Sequence, residues 1–140
     1  AAPVDLAEAV AEWAAACSAP ERVRVSAPSA CPVRLNRSAL ARVVGNLLEN
    51  ALRYGADAPV ELELSEGPVL AVLDRGPGIP EAERDKVFQP FYRLENSRNR
   101  ATGGSGLGLA IVRQLADAQG WRVTLSGRPG GGLRAEVRTG

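Results

Sequence analysis

The stretch LARVVGNLLENALRY, residues 40–54, has the apolar spacing of an amphipathic helix, and the rest of the chain can be arranged around it. At about 100° per residue, its apolar side chains fall on one side: Leu40, Val44, Leu47, Leu48 and Ala51. Its polar side chains fall on the other: Arg42, Asn46, Glu49, Asn50 and Arg53. Ser38 is a suitable N-cap and Gly55 a suitable end, so the pattern predicts one helix with a well-formed core face.

The polar face of this helix is unusual because it carries asparagines at positions 46 and 50, one helical turn apart. Asparagine is a poor helix former, and neither residue improves a core. An amide oxygen binds a hard cation without adding negative charge, which suits a cation that already carries polyphosphate. The pattern is therefore compatible with a metal–phosphate site, and a surface helix with incidental asparagines explains it equally well.

Composition sets limits on what the chain can do. Its 140 residues suit one domain, and 45% hydrophobic and 24% charged residues are ordinary for a globular protein. The net charge of +1 gives no basic field for nucleic acid. No apolar run approaches the roughly 18–20 residues needed to cross a bilayer, and the alanine-rich start does not resemble a signal peptide. The sequence has no histidine, which excludes a histidine base, metal ligand or phosphoacceptor within it.

Periodicity and turn residues predict an α+β fold. The predicted elements are a helix over residues 4–17, strands over 22–26 and 31–35, the asparagine helix, a hairpin of strands 60–64 and 69–73, a helix after Gly108, and a closing hairpin of strands 121–126 and 133–138. Strand pairs joined by short turns indicate a mixed, mostly antiparallel sheet with helices on one face, which is a two-layer α/β sandwich.

The motif DRGPGIP, residues 74–80, follows a strongly apolar strand. A carboxylate at a strand end can accept a hydrogen bond from an exocyclic amine such as that of adenine. Glycines at positions 76 and 78 would let the backbone approach a flat ring closely. A plain Asx turn is the alternative interpretation of Asp74.

Two further motifs follow. The motif GGSGLGL, residues 103–109, opens a helix, where free N–H groups and the helix dipole favour a phosphate, although a flexible hinge has the same composition. It is neither a P-loop nor a G-x-G-x-x-G loop, because Leu109 and Ile111 stand where the third glycine belongs. The motif FQPFYR, residues 88–93, clusters three aromatic residues that we expect to pin a long loop. Arg93, Arg98 and Arg100 could reach phosphates or simply be solvated.

These four motifs, in the order in which they stand along the chain, resemble the catalytic ATP-binding domain of sensor histidine kinases, in the larger family shared with gyrase, Hsp90 and MutL. Residues 46–54 (NLLENALRY) resemble the N box and residues 74–80 the G1 box. Residues 88–93 resemble the F box, and residues 104–109 (GSGLGL) the G2 box. The resemblance covers nearly the whole chain and implies the Bergerat-type ATP-binding fold, with residues 1–140 as one catalytic domain of a larger kinase.

The resemblance implies a site for ATP and Mg²⁺. Asn50 would bind Mg²⁺ through its amide oxygen, with Asn46 and Arg53 near the triphosphate. Asp74 would accept from the adenine amine. The remaining residues implied to contact nucleotide are Tyr54, Gly76, Gly78, Ile79, Phe91, Arg93, Gly104, Ser105, Gly106, Leu107 and Gly108. Residues from about 80 to 105 would form an ATP lid docked through Phe88 and Phe91. Leu133 stands where many relatives carry a threonine near the adenine, which puts that contact in doubt.

The resemblance also implies a reaction and partners. The γ-phosphoryl of Mg·ATP would pass to a histidine on a separate dimerisation and phosphotransfer domain, with a response regulator downstream. The chain itself would be monomeric, and it would belong to the cytoplasmic portion of a membrane-anchored sensor. Two alternatives stay open: a serine kinase of the anti-sigma-factor type, against which the F box argues, and an interaction module of the same fold that has lost nucleotide binding.

Overall fold

A computed structural model describes residues 2–55, 57–92 and 108–140. The strands of the described chain are Ala2–Asp5 (β1), Val23–Ser26 (β2), Pro32–Leu35 (β3), Val60–Ser65 (β4), Val69–Leu73 (β5), Arg122–Gly127 (β6) and Leu133–Arg138 (β7). The α-helices are Leu6–Ala16 (α1), Arg37–Tyr54 (α2) and Gly108–Gln119 (α3). Short 3₁₀ helices cover Pro20–Arg22, Glu81–Glu83 and Lys86–Phe88.

The main sheet has the strand order β2-β4-β5-β7-β6, and the helices pack on one of its faces. The strand β2 runs parallel to β4, whereas the other pairings are antiparallel. The strands β1 and β3 form a separate antiparallel pair. This arrangement confirms the predicted two-layer α+β sandwich, including both hairpins.

The central strand β5 is buried along its whole length. On the helix side its residues contact the core, as expected for a continuous apolar strand. On the other face, ion pairs on the neighbouring strands flank it: Arg134 of β7 pairs with Glu63 of β4 and with Glu136. The apolar stems of such long side chains can cover the short residues between them, which explains how both faces of β5 are shielded.

Helix α2 has the predicted core face, because all five residues assigned to that face are buried, and Val43 and Leu52 are buried with them. Its start differs from the prediction. The N-cap is Asn36, whose side chain accepts from Ala39 N, so Ser38 is the second helical residue rather than the cap. Both residue types cap helices well, and the earlier one prevails here. The end at Gly55 is as predicted, with Gly55 N donating to Ala51 O at 2.7 Å.

Helix α1 is shorter at its start than the predicted 4–17. Val4 belongs to β1, where it pairs with Val33 of β3, and the helix begins at Leu6. Asp5 is the N-cap: its Oδ1 accepts from Ala7 N at 3.1 Å and from Cys31 N at 2.9 Å. One carboxylate therefore caps the helix and ties it to the start of β3. Within the described ranges, no helix is both long and apolar enough to cross a bilayer.

Candidate functional site

A pocket lies where α2 and α3 meet the helix-side face of the sheet. The gap between its walls, together with the open solvent in front of it, measures about 240 Å³. Apolar side chains form most of its wall, with one amide and one carboxylate: Leu47, Asn50, Ala51, Val72, Asp74, Leu109, Leu125, Leu133 and Ala135. Apolar walls with a few convergent polar groups are typical of sites for small molecules.

Among the described residues, Asp74 is the one charged residue that is buried, with 6% of its surface exposed. Its Oδ1 accepts from Gly76 N at 2.8 Å and from Leu133 N at 3.3 Å. Burial raises the pKa of Asp74, and these two backbone hydrogen bonds oppose that rise. Within the described chain no donor reaches Oδ2. The bond to Gly76 is the Asx turn named above as the alternative, so the turn fixes Oδ1, while Oδ2 has no donor among the described residues.

Glycines are required where the chain packs against Asp74. A Cβ on Gly76 would lie 2.2 Å from Tyr54 O, at the end of α2. A Cβ on Gly55 would lie 2.9 Å from the Cβ of Asp74. Gly78 has a φ of +73°, a left-handed conformation that glycine adopts without strain. The glycines at 76 and 78 therefore shape the loop after β5, whatever they contact beyond it.

The two asparagines of α2 differ in their surroundings. Asn46 Nδ2 donates to Arg42 O at 2.8 Å, within its own helix. Its Oδ1 lies 3.5 Å from where a Cβ on Gly108 would sit, so it faces the first residue of α3. Asn50 is half-buried and lines the same pocket as Asp74. No hydrogen bond to its amide comes from the residues that the structure describes. The structure thus brings Asn50, Asp74 and the start of α3 close together.

Glu49, the acid beside these asparagines, is engaged elsewhere. Its carboxylate accepts from Ser18 N at 2.9 Å and from Ser18 Oγ, just after the end of α1. This contact ties α1 to α2. The polar face of α2 therefore presents to the pocket a neutral amide rather than a carboxylate.

The other predicted contacts that the structure describes are not among the residues that line the pocket. Arg53 is exposed, and Tyr54 is half-buried with its carbonyl against Gly76. Ile79 is half-buried and packs on the core. Gly108 is the first residue of α3, which confirms a helix after the glycine-rich stretch.

The aromatic motif docks through one phenylalanine only. Phe88 is buried, and the guanidinium of Arg113 on α3 lies 4.1 Å from its ring centroid. Phe91 is 69% exposed with a φ of 64°. The prediction that both phenylalanines dock the segment is therefore wrong for Phe91. The spacing of two phenylalanines cannot show which ring a strained turn directs outwards.

Part of the predicted site lies outside the described residues: Arg93, Arg98, Arg100, Gly104, Ser105, Gly106 and Leu107. Of the predicted lid, only residues 80–92 are described. Their roles towards phosphate stay predictions.

Sequence reasoning missed the residues that surround Asp74 from the far side. Gly132, in the β6–β7 turn, has a φ of +115°, and a Cβ there would lie 2.0 Å from Asp74 O. Leu133 supplies a backbone N–H to the Asp74 carboxylate, a role that does not depend on its side chain. Arg128 of the same turn hydrogen-bonds to Asp74 O. The sequence signal for these contacts is the run of glycines at 130–132, which by itself predicts only the connection of the closing hairpin.

Comparison with known proteins assigns the class. Residues 35–139 match the family model for histidine kinase-, DNA gyrase B- and HSP90-like ATPases. The chain therefore belongs to this family, which confirms the resemblance drawn from the four motifs.

Among individual proteins, the chain is similar to sensor histidine kinases. GtrS of Pseudomonas aeruginosa is 44% identical over 120 residues, which are 84% of this chain and 24% of GtrS. The mycobacterial sensor histidine kinase MprB has a solved structure with a TM-score of 0.77 and 28% identity, covering 97% of this chain and 94% of that one. Full-length ShkA in complex with AMPPNP gives a TM-score of 0.76 and 28% identity, over 97% of this chain and 30% of ShkA. The chain spans about a quarter of the length of the curated relatives it matches.

Proposed function

We propose that this chain is the catalytic ATP-binding domain of a two-component sensor histidine kinase. The observation that carries the proposal is that one apolar pocket holds a buried carboxylate, whose Oδ2 has no donor among the described residues, together with a half-buried amide. Burying a carboxylate is costly unless something compensates for it. A ligand amine that donates to Asp74 Oδ2 would supply that compensation. The AMPPNP complex of the similar ShkA supports a nucleotide as this ligand.

Adenine fits the pocket for a chemical reason. Its flat apolar faces match the side chains of Leu47, Val72 and Leu125, and its exocyclic amine matches the acceptor on Asp74. Tyr54 and Ile79 lie at the edges of the loop that Gly76 and Gly78 shape. We assign these residues to the base end of the nucleotide.

The phosphate end would lie along α2 towards α3. Asn50 would bind Mg²⁺ through its amide oxygen, with Asn46 beside the start of α3. Neutral oxygens suit a magnesium ion whose charge is already balanced by polyphosphate. When bound, the ion neutralises charge that develops on the phosphoryl oxygens, while the protein mainly positions the reacting groups. Further proposed phosphate contacts are Arg53, Arg93, Gly104, Ser105, Gly106, Leu107 and Gly108, with Phe91 in the lid over residues 80–105.

The phosphoacceptor lies outside these residues in this proposal, because the 140-residue sequence has no histidine. The γ-phosphoryl would pass to a histidine on a dimerisation and phosphotransfer domain, and then to a response regulator. The sensor histidine kinases among the relatives support these partners. We also propose that residues 1–140 form one monomeric domain, that the domain works in the cytoplasm as part of a membrane-anchored sensor, and that nucleic acid is not a partner.

Calorimetric titration with ADP tests nucleotide binding. We expect a complex of micromolar affinity in Mg²⁺ that weakens when EDTA removes the metal. Absence of heat at high micromolar ADP would refute the proposal and favour a module that has lost nucleotide binding.

Incubation with γ-labelled Mg·ATP tests the transfer. The isolated chain should acquire no acid-labile phosphate, whereas a histidine-bearing dimerisation domain supplied as a separate polypeptide should acquire it. Acid-labile label on the isolated chain would contradict the assignment, and acid-stable label on a serine of a partner protein would favour the serine kinase.

A further inference from the structure

The β6–β7 turn, residues 128–132, is held against the end of β5 by an arginine. Arg128 Nη1 donates to Asp74 O at 3.4 Å, and Nη2 forms an ion pair with the Glu61 carboxylate on β4. The side chain of Arg128 is only 11% exposed. It extends from the turn, past the end of β5, to the next strand. We call Arg128, Glu61 and the Asp74 carbonyl the Arg128 clasp.

The Asp74 carbonyl is available to the clasp because the pair that follows the end of the β5–β7 ladder, Asp74 with Leu133, is irregular. In a regular hydrogen-bonded antiparallel pair, two residues exchange both N–H···O bonds. Asp74 N donates to Leu133 O at 3.0 Å as expected. Leu133 N, however, donates at 3.3 Å to the Asp74 side chain. The side chain thus takes the place of the Asp74 carbonyl, and that carbonyl accepts from Arg128 instead.

The position of Leu133 N therefore depends on where the turn lies. The turn is closed by Arg128 N donating to Gly132 O at 3.1 Å. A second arginine also holds the turn, because Arg75 Nη1 donates to Pro129 O at 2.9 Å. Of the two hydrogen bonds to the Asp74 carboxylate, the one from Leu133 N is the longer. Leu133 directly follows the turn, so its N–H group moves when the turn moves. Movement of the turn would loosen this contact first.

We propose that Arg128 and Glu61 are positioning residues that set the orientation of the Asp74 carboxylate, and thereby the preference of the site for 6-aminopurines over 6-oxopurines. The inference rests on the proposed function, in which Asp74 accepts from the adenine amine. A 6-oxo group presents an acceptor to the carboxylate. A 6-oxopurine is therefore disfavoured when the carboxylate is held in place, and less so when the carboxylate can turn away.

The test compares ADP with IDP, which carries a 6-oxo group, by calorimetry in Mg²⁺ on the 140-residue chain. Glu61→Gln removes the charge that holds Arg128 while keeping the side-chain shape. Glu63→Gln is the matched control: Glu63 is on the same strand and face, has a similar exposure, and pairs with Arg134, whose side-chain hydrogen bonds go to Glu63 and Glu136 and not to Asp74. Nuclear magnetic resonance measures the hydrogen exchange of the Leu133 amide in the same variants without nucleotide.

We expect Glu61→Gln to lower the ratio of ADP to IDP affinity about three- to tenfold, the value of one ordinary hydrogen bond, and to speed exchange at Leu133. Arg128→Gln should do the same, and Glu63→Gln should leave both quantities within about twofold of the wild type. A fall in melting temperature in Glu61→Gln with an unchanged affinity ratio and unchanged Leu133 exchange would overturn the inference, as would equal effects of the two glutamate variants. A wild-type chain that binds neither nucleotide would refute the proposed function together with this role, whereas intact ADP binding with an unchanged ratio would refute this role alone.

Discussion

Substitution of Asp74 by asparagine separates binding from folding more sharply than any other change in the pocket. The asparagine keeps the size of the side chain and an oxygen that can accept from Gly76 N and Leu133 N. It replaces Oδ2 by an amide that donates. The chain loses the acceptor for the adenine amine but keeps the acceptor that its own backbone uses.

The expected magnitudes follow from this exchange. A hydrogen bond to a charged group contributes about 1.5–3 kcal/mol, which corresponds to roughly 10- to 150-fold in affinity. We expect the affinity of Asp74→Asn for ADP to be lower by a factor within or above this range, because the asparagine amide and the adenine amine, both donors, would then face each other. The free energy of unfolding without ligand should change by less than about 1 kcal/mol, since relief of a buried charge offsets the weaker backbone bonds.

Titration of wild type and Asp74→Asn with ADP and IDP, beside thermal unfolding without ligand, measures these quantities. The asparagine amide can donate to a 6-oxo group, so the preference between the two nucleotides should reverse in the variant. Equal ADP affinity in the two proteins would refute the assignment of Asp74 to the base. So would a loss of several kcal/mol of stability, which would show that the carboxylate is retained for the fold alone.

Further predictions concern other parts of the site and the fold. Asn50→Ala should weaken ADP binding at least about tenfold in Mg²⁺ and little in EDTA. Its melting temperature without ligand should be close to that of the wild type, and a large loss of melting temperature would count against a metal role. Burial raises the pKa of Asp74, so the folded chain holds this proton more tightly than the unfolded chain. Protonated Asp74 therefore contributes stability that is fully present below the unfolded pKa and is lost as pH rises through the folded pKa. Because asparagine does not titrate, the melting temperature of Asp74→Asn relative to that of the wild type should rise over that pH interval. ADP affinity should fall on acidification at a higher pH than for an exposed aspartate, and a pH-independent affinity would contradict this. Gly132→Ala should lower the free energy of unfolding by at least about 2 kcal/mol, whereas Gly45→Ala, where a Cβ would meet no atom within 4 Å, should raise it by about 0.5–1 kcal/mol.

The sequence predicted the parts of the molecule whose residues repeat with a period. Helix α2 has its core face where the spacing of Leu40, Val44 and Leu47 places it. The strands Val69–Leu73 and Leu133–Arg138 begin and end at the predicted residues, because turn residues bound them on both sides. Local pattern is sufficient in these cases since burial of one face decides the structure.

Competition between similar local signals was harder to resolve. Asn36 and Ser38 are both good caps, and the choice between them follows from where the chain leaves β3. Val4 fits the apolar spacing of α1, yet it pairs with Val33 across a separate small sheet. The pairing of segments that are distant in sequence decides such cases, and a short stretch of sequence gives no information on that pairing.

The chemistry of Asp74 shows why a motif locates a site without describing it. The motif at residues 74–80 places a carboxylate at a strand end, but Gly76 alone cannot orient it. The orientation also needs Leu133 N, and Leu133 follows a turn that Arg128 fastens to Glu61 and to the Asp74 carbonyl. These residues are distant in sequence and meet because β4, β5 and β7 are neighbours in the sheet. The side chain that we assign to the adenine amine thus belongs to the pair that follows the last rung of the β5–β7 ladder, so the same strand pairing that builds the sheet also places the carboxylate in the wall of the pocket.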